Sequence, residues 1–402
     1  MESTAGNAVD FAMGLRPLLY IRALVRFNPF LSVKKRFFCS LLGAFCLLHQ
    51  PSFGQTQKLP KQLDALVTAY AKAGQFNGTV LVAHHGKVIF TKGYGLANRE
   101  WNQPNAADTK FRIGSLTKQF TAMLVMQLVE KGRLRLDGPV SDYLPDYPKP
   151  NGDKITLHHL LSHTSGIPNY TASAAFDAAS LLPTTPQAAV RGFSALPLEF
   201  EPGSTYRYSN SGYVLLGAII EQVTNKPYAQ VLAENILQPL HMQDTGYDLP
   251  GTIIPKRAAG YEKTAAGVVN TPYIDMTGPY AAGAMYSTVG DLYKWEQALY
   301  TTQLLSEAGK AQMFKPFKND HAYGWNTARL PMGADTVAVL RHGGVINGFR
   351  AFLLRAPKDH NLVVALDNES NDYTPKISTM LLRVLYHEPT LGPEPEPRAP
   401  KP

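Results

Sequence analysis

Stretches rich in β-forming residues lie near both ends of this chain, and the long segment between them has the pattern of helices and loops. Near the N-terminus, GTVLVAHHGKVIFTKGYG contains two such runs around a turn at 85–87. Near the C-terminus there are three more, at 336–340, 350–354 and 362–366. Helical patterns flank the two groups on their outer sides, at 59–73 and 376–385.

The segment 111–325 separates the two β-rich groups and reads mostly as helices and loops, with helical patterns at 116–129, 158–163, 213–223 and 229–236. These positions predict one antiparallel sheet formed from both chain ends and flanked by the terminal helices. The helical middle then becomes a large inserted lobe, which makes the fold class α+β. A cleft between the lobes is the expected ligand site.

The first 54 residues have the layout of a secretory signal peptide. Basic residues at 34–36 precede an apolar stretch at 37–48, and small residues allow cleavage after Gly54. The preceding extension indicates a start assigned too early, and a non-cleaved anchor is the alternative. We therefore expect export to the periplasm or medium, a domain at 55–387, and a proline-rich disordered tail at 388–402.

Composition excludes several classes of protein. With 45% apolar and 17% charged residues, the 402-residue chain is globular. Both cysteines lie in the apolar stretch at 37–48, so the mature chain would have no disulfide and no thiolate metal site. Half of the net charge of +8 lies within residues 1–54, and the remainder is too small to indicate nucleic acid. No apolar run in the mature chain is long enough to span a membrane.

The stretch RIGSLTKQFTAMLVMQL places Ser115 three residues before Lys118 at the start of an apolar helix. Positions i and i+3 share a helix face, so the hydroxyl and the amine would be neighbours. Burial lowers the pKa of a lysine, which would let the amine accept a proton near neutral pH. The alternative is an ordinary polar first turn, since SVKK at 32–35 has the same spacing.

Two further motifs carry candidate chemistry. In YRYSNSGY, Tyr208 and Asn210 form the only Tyr-x-Asn in the sequence. A phenol near a lysine cation has a depressed pKa and can act as a base, while the amide can orient the lysine. The alternative is a polar turn leading into a helix at Tyr213.

In RHGGVINGFRAFLLR, the triplet His342, Gly343 and Gly344 ends one candidate strand, and Phe349 begins the next. The glycines would allow a close backbone approach, Val345 would supply an oxyanion N–H, and the histidine a hydrogen bond or positive charge. A simple hairpin loop is the alternative, because HHG at 84–86 has the same form.

A possible metal pair, His159 and His163, has no glutamate between its members and is not expected to bind metal. The stretch TGPYAAGAMYSTVGDLYKW includes Gly283 and Tyr286 and could line the cleft. A helix N-terminus capped by Ser287 or Thr288 explains its residues equally well.

The order and spacing of the three motifs resemble the β-lactamase-related serine hydrolases: class C β-lactamases, D-alanyl-D-alanine carboxypeptidases, D-aminopeptidases and esterases. Five blocks carry the resemblance over about 57–387: FNGTVLVAHHGKVIFTKGYGLAN, FRIGSLTKQFTAMLVMQLVEKGRLRLDGPVSDYLP, ITLHHLLSHTSGIPNY, EPGSTYRYSNSGYVLLGAIIE and HGGVINGFRA. The resemblance implies a β-lactamase/transpeptidase-like fold. It makes Ser115 the acylated nucleophile, Lys118 its activating partner, Tyr208 the general base, and Asn210 a contact for lysine and substrate.

The resemblance implies no metal and no organic cofactor. His342 stands where lactamases have lysine, which favours a peptidase or esterase over a β-lactamase. We expect hydrolysis of a D-residue peptide or amide, or of a small ester, and cell-wall peptides are reasonable substrates for an exported member. A non-catalytic module that senses penicillin or peptidoglycan is the alternative from another functional class.

Overall fold

A computed structural model describes residues 58–174 and 176–395. The sequence-based expectations for residues 1–54, including both cysteines, lie outside this range. The helices, numbered in chain order, are α1 Lys58–Lys72, α2 Thr117–Glu130, α3 Lys149–Gly152, α4 Leu157–Leu161, α5 Phe176–Ala179, α6 Pro186–Ser194, α7 Asn210–Thr224, α8 Tyr228–Leu232, α9 Tyr280–Gly283, α10 Val289–Ala298, α11 Glu307–Met313 and α12 Thr374–Leu385.

The strands include the five that the sequence predicts and several short ones. In chain order they are β1 Gly78–His84, β2 Lys87–Tyr94, β3 Leu96–Asn98, β4 Gln103–Pro104, β5 Phe111–Arg112, β6 Gly246–Tyr247, β7 Tyr261–Thr264, β8 Gly267–Asn270, β9 Met285–Ser287, β10 His321–Ala322, β11 Trp325–Met332, β12 Asp335–Ile346, β13 Phe349–Ala356 and β14 Asn361–Asp367.

The main sheet joins the two ends of the described chain. Its strand order is β10-β11-β12-β13-β14-β1-β2, and every neighbouring pair is antiparallel. Strand β1 pairs with β14, with Val80 opposite Ala365 and Leu81 opposite Val364. The structure therefore confirms the predicted α+β class and the sheet formed from both ends.

Alternation along the central strands sends side chains into two different cores. Val80 and Val82 of β1 pack on the face covered by α1 and α12, whose buried residues include Leu63 and Leu381. Leu81 lies in the other core, which is formed with the helical lobe. Both faces of the sheet are thus covered, and the lobe that contains α2 lies on only one of them.

Strand β11 was not predicted, and β12 is longer than predicted. The sequence of β11 is WNTARLPM, where Pro331 and an irregular apolar pattern weaken the strand signal. Proline is tolerated because β10 pairs only with the first two residues of β11. The His342 triplet does not end its strand, because β12 continues to Ile346.

The beginning of the proline-rich segment lies against α1. The Tyr70 hydroxyl donates to the carbonyl oxygens of Leu391 and Gly392, each at 3.0 Å. Gln75 exchanges hydrogen bonds with the backbone of Glu394. Residues 396–402 lie outside the described range. None of the helices described here has the length and apolar character needed to cross a membrane.

Candidate active site

Ser115 lies in a single 3₁₀ turn, Gly114–Leu116, directly before α2. Gly114 has a φ of +51°, a left-handed conformation that glycine adopts without a Cβ clash. The turn places the partly exposed Ser115 at the N-terminal end of α2, where backbone N–H groups favour negative charge. Helix α2 itself is buried from Thr117 to Leu128 and anchors the turn in the core of the lobe.

The Lys118 amine lies behind Ser115 and is fully buried. Its Nζ atom is 3.0 Å from Ser115 Oγ, 2.8 Å from Asn210 Oδ1 and 2.7 Å from the carbonyl oxygen of Ala282. Burial lowers the pKa of Lys118 well below its ordinary value, as the sequence predicted. A neutral amine has two N–H donors and one lone pair. It can therefore donate to the amide and carbonyl oxygens and accept the proton of Ser115.

Tyr208 contacts the same hydroxyl from the other side. Its phenol donates a hydrogen bond to Ser115 Oγ at 2.8 Å. Its ring lies over the lysine, with Nζ 5.0 Å from the ring centroid. Ser115 Oγ therefore lies between an amine and a phenol, each within hydrogen-bonding distance.

The protonation state of Tyr208 differs from the sequence-based expectation. A lysine cation was expected to depress the pKa of the phenol, but burial raises that pKa above the ordinary value. The same burial disfavours the cationic form of Lys118. Burial therefore disfavours both charged forms, the phenolate of Tyr208 and the ammonium of Lys118.

Asn210 is the first residue of α7, which begins three residues earlier than predicted. Its Oδ1 holds Lys118, its Nδ2 donates to Thr171 Oγ1 at 3.2 Å, and its backbone N–H donates to Asn169 Oδ1 at 3.0 Å. These bonds fix the orientation of the amide, so that its oxygen is the atom that faces the lysine.

Strand β12 passes directly beside the Ser115 turn. Pairing with β11 stops at Arg341, so the β12 edge from His342 onward is free on the β11 side. A Cβ atom on Gly344 would lie 1.9 Å from the carbonyl oxygen of Ile113 and 3.3 Å from the Ser115 nitrogen. The approach requires glycine here, and it places the backbone of Val345, the expected oxyanion N–H donor, beside the turn that carries Ser115. Gly343 has no such close contact.

His342 is 4% exposed and lines the cleft. Its Nδ1 lies 2.6 Å from the carbonyl oxygen of Gly343, so Nδ1 carries the proton and donates, which leaves a lone pair on Nε2. Burial lowers the pKa of His342 to about 3, and the neighbouring Lys118 and His321 act in the same direction. The ring is neutral at pH 7 and offers hydrogen bonding, but not the positive charge that the sequence also allowed.

The two histidines with metal-like spacing have separate structural roles. His159 Nδ1 accepts the backbone N–H of Thr156 in the capping box of α4. His163 lies beyond the end of α4 and packs against Tyr208, with 4.4 Å between ring centroids. Within residues 58–174 and 176–395, no cluster of three or more His, Cys, Asp or Glu side chains is arranged to hold a metal.

Sequence reasoning missed several groups at the site. The carbonyl of Ala282 holds Lys118, and Thr171 holds Asn210. A backbone carbonyl has no residue-type signal, although the sequence allows the stretch that contains Ala282 and Gly283 to line the cleft, and both residues do so. Tyr286 instead pairs with Gly246 in a small sheet, and Thr288 caps α10.

A cavity of about 730 Å³ opens in front of Ser115. Its wall combines Ser115, Tyr208 and Asn210 with the oppositely charged side chains of Glu262 and Arg350. Glu262 accepts a hydrogen bond from the Thr271 hydroxyl and has no cationic partner within ion-pair distance among the described residues. Arg350 pairs with Asp372, whose side chain is 91% exposed. The cleft can thus contact a substrate through groups of both charges.

Comparison with known proteins agrees with this geometry. Residues 63–378 match the Beta-lactamase family. The chain is 32% identical to the putative penicillin-binding protein PbpX of Bacillus subtilis over 284 residues, which cover 70% of each protein.

Solved structures show the same relationship. The chain superimposes on the D-amino acid amidase of Ochrobactrum anthropi with a TM-score of 0.70 and 27% identity, covering 82% of this chain and 97% of the amidase. It matches EstCE1, a hydrolase with promiscuous acyltransferase activity, with a TM-score of 0.70 and 25% identity. The match covers 83% of this chain and 99% of EstCE1. Because the family match spans most of its length, the chain belongs to the β-lactamase family and is a serine hydrolase.

Proposed function

We propose that the chain cleaves an amide or ester bond through an acyl-enzyme on Ser115, with a D-residue peptide or amide, or a small ester, as substrate. The contacts of Lys118 carry the proposal. Two of its three neighbours are fixed hydrogen-bond acceptors, so the remaining lone pair of the neutral amine points to the Ser115 hydroxyl. A buried amine in this state is a general base next to a nucleophile.

Acylation would begin with attack of Ser115 Oγ on the substrate carbonyl while its proton moves to Lys118. The resulting oxyanion would lie against the N–H groups of Ser115 and Val345. Tyr208 would give its proton to the leaving nitrogen or oxygen, and the phenolate would then take a proton from the Lys118 ammonium. The raised pKa of the phenol and the lowered pKa of the amine both favour this return.

Deacylation would use the same groups with water as the nucleophile. A water molecule would attack the ester carbonyl, its proton would pass to the phenol–amine pair, and Ser115 Oγ would regain a proton as it leaves. No charge accumulates on Lys118 or Tyr208 over the full cycle. The mechanism therefore suits a site from which both charged forms are excluded by burial.

The neutral side chain at the His342 position supports a peptide-like substrate over a β-lactam. At the position where lactamases have a lysine, His342 is neutral and offers no cation to a β-lactam carboxylate. Glu262 and Arg350 could hold an amine and a carboxylate of one peptide. Among the relatives, the amidase carries D-amino acid in its name. An esterase is the second candidate, supported by the likeness to EstCE1.

The test compares p-nitrophenyl esters, D-amino-acid anilides and nitrocefin as substrates, with mass spectrometry to detect the acyl group on Ser115. We expect turnover of an ester or D-anilide, slow or no nitrocefin hydrolysis, and loss of adduct and turnover in the folded S115A variant. A stable penicillin adduct without turnover of any substrate would support a sensing module instead. Full activity in S115A would contradict the mechanism.

We also propose export, followed by cleavage after Gly54. The basic and apolar pattern of residues 34–48 supports this, and a cell-wall peptide would then be an accessible substrate. N-terminal sequencing of the protein from a periplasmic or culture fraction is the test. A mature chain that begins at Gln55 is expected, and an uncleaved cytoplasmic chain would contradict the proposal.

A further inference from the structure

We propose that His163 is a positioning residue that holds Tyr208 against Ser115 through hydrogen bonds on both sides of the tyrosine and through ring packing. The inference rests on the proposed role of Tyr208 as proton donor to the leaving group. His163 touches neither Ser115 nor Lys118 by hydrogen bond, and the proposed reaction assigns it no proton.

The first hydrogen bond comes from the histidine backbone. His163 follows the end of α4 and has a φ of +54°. In this left-handed conformation its carbonyl oxygen accepts the backbone N–H of Arg207, the residue before Tyr208, at 2.9 Å. Histidine is one of the few residue types besides glycine that are enriched in this conformation.

The second hydrogen bond comes from the ring. His163 Nδ1 accepts the backbone N–H of Ser209, the residue after Tyr208, at 3.2 Å. One residue therefore holds the Tyr206–Arg207 peptide, which lies one residue before the tyrosine, and the Tyr208–Ser209 peptide that follows it. Only two torsions place the tyrosine ring relative to its backbone, so fixing the backbone near it on both sides restricts where its hydroxyl can lie.

The ring of His163 also packs along the phenol. The rings lie 4.4 Å apart between centroids with an interplanar angle of 31°, and His321 contacts the His163 ring edge-on at 4.7 Å. His163 is 1% exposed, so this packing excludes water from one side of the phenol. Tyr208 can then keep its 2.8 Å hydrogen bond to Ser115 without competition from solvent on that side.

The hydrogen bonds require a neutral ring. Because Nδ1 accepts, the ring proton resides on Nε2, and a proton on Nδ1 would oppose the Ser209 N–H. Burial holds the pKa of His163 well below its ordinary value, and the nearby His321, Lys118 and His342 lower it further. The neutral ring is therefore a stable acceptor across the pH range of a neutral hydrolase.

Two substitutions separate these contributions. H163G keeps the carbonyl and the left-handed backbone but removes the ring and its acceptor. H163N keeps an acceptor, because asparagine Oδ1 occupies the position of histidine Nδ1, and asparagine also tolerates a positive φ. H241G is the matched control: His241 has a φ of +52° and is exposed outside the cleft.

The measurement compares kcat/KM for a p-nitrophenyl ester and an alkyl ester of the same acyl group. An alkoxide needs a proton from Tyr208 as it leaves, whereas p-nitrophenolate does not. We expect H163G to lower kcat/KM about 10- to 100-fold on the alkyl ester, in the range of general acid catalysis, and much less on the p-nitrophenyl ester. H163N should stay within about threefold of the wild type on both substrates, because hydrogen bonds contribute more than the lost packing.

A double-mutant cycle with Y208F completes the test. If His163 acts through Tyr208, H163G should have almost no further effect on alkyl-ester cleavage in the Y208F background. An equal loss on both esters, or a loss that persists in Y208F, would overturn the inference. If Y208F itself cleaves the alkyl ester normally, the proposed role of the tyrosine fails and this inference fails with it. If H163G does not fold, H163N carries the test: preserved leaving-group discrimination supports the inference, and its loss overturns it.

Discussion

The back and the front of the Ser115 site are built differently. Behind the serine, the side chains of Lys118, His163 and His321 are all at most 1% exposed, and burial lowers the pKa of each. In front of it, the cavity wall includes charged side chains and Val345, which is 59% exposed.

This contrast separates two requirements of a hydrolase. Proton transfer needs groups of fixed position and fixed charge, which a dry and closely packed wall provides. Substrate choice needs groups that can contact different ligands, which an open wall with charged side chains provides. We therefore expect changes behind Ser115 to affect kcat and changes in front of it to affect mainly KM.

The largest effect should follow removal of the buried amine. The methionine side chain is similar in length to that of lysine, so the K118M substitution removes the amine while it fills most of the space that the lysine side chain occupies. We expect kcat/KM to fall by about 10³- to 10⁴-fold, because the proton of Ser115 then has no acceptor. Ester hydrolysis and thermal unfolding are measured together. If the K118M variant folds and keeps activity within tenfold of the wild type, the Lys118 amine is not the proton acceptor for Ser115.

Gly343 and Gly344 are adjacent in β12, where the strand passes beside Ser115, so alanine substitutions at the two positions can be compared directly. In G344A the new Cβ would meet the carbonyl of Ile113 at 1.9 Å, so the strand must move away from Ser115. We expect a loss of about 2–3 kcal/mol in stability, in the range for overpacking, and a fall in kcat. In G343A the nearest atom, in Phe352, is 3.5 Å away, so little change is expected. Equal behaviour of the two variants in unfolding and kinetics would contradict the close approach.

The pH dependence of stability tests the neutral character of the back wall. Burial lowers the pKa of His321 to about 4, below the ordinary value of 6.5. A depressed folded-state pKa gives stability that is present above 6.5 and is lost as the pH falls toward 4. We expect H321L to reduce the difference in unfolding free energy between pH 7 and pH 4 by up to about 3 kcal/mol.

Guanidinium unfolding at the two pH values measures this difference. The exposed His241, replaced by leucine, is the control and should leave it almost unchanged. If H321L loses as much stability on acidification as the wild type, the buried histidine is not a source of acid sensitivity.

The smallest effects should come from the open wall. R350Q should raise KM for substrates with a carboxylate, and E262Q should raise KM for substrates with an amine, by about threefold to tenfold each because solvated charge pairs are weak. Steady-state kinetics on charged and neutral ester pairs measure both. R329Q, at an exposed position of β11 outside the Ser115 cavity, is the control. A large fall in kcat in either R350Q or E262Q would contradict the expectation that changes in front of Ser115 affect mainly KM.

Much of the fold followed from local sequence patterns. The helices at 58–72 and 374–385 and the strands of the first hairpin lie within a few residues of their predicted positions. These elements could be predicted because each has one buried face, which requires apolar residues at regular spacing in the sequence. The pattern of β11 was missed, because an edge position tolerates Pro331 and exposed Arg329, which weaken the alternation.

The candidate site was less predictable in its electrostatics than in its members. Ser115, Lys118, Tyr208 and Asn210 do lie together, joined by hydrogen bonds of 2.8–3.0 Å. Their charges depend on how much water reaches them, and that is set by segments distant in sequence. The carbonyl of Ala282, which completes the lysine environment, has no side-chain signal at all.

The pairing of β1 with β14 also has a consequence for how the protein is made. Val80 and Ala365 lie opposite each other in neighbouring strands, and they are 285 residues apart in the chain. Contacts of such long range make folding slow, since a very large loop must close before they form. The helix that follows Ser115 emerges early from the ribosome, but the sheet beside it stays incomplete until the last strand has been synthesised. Fragments that end before residue 361 would therefore contain Ser115, Lys118 and Tyr208 but lack β14, the strand that joins β1 to β13 in the main sheet.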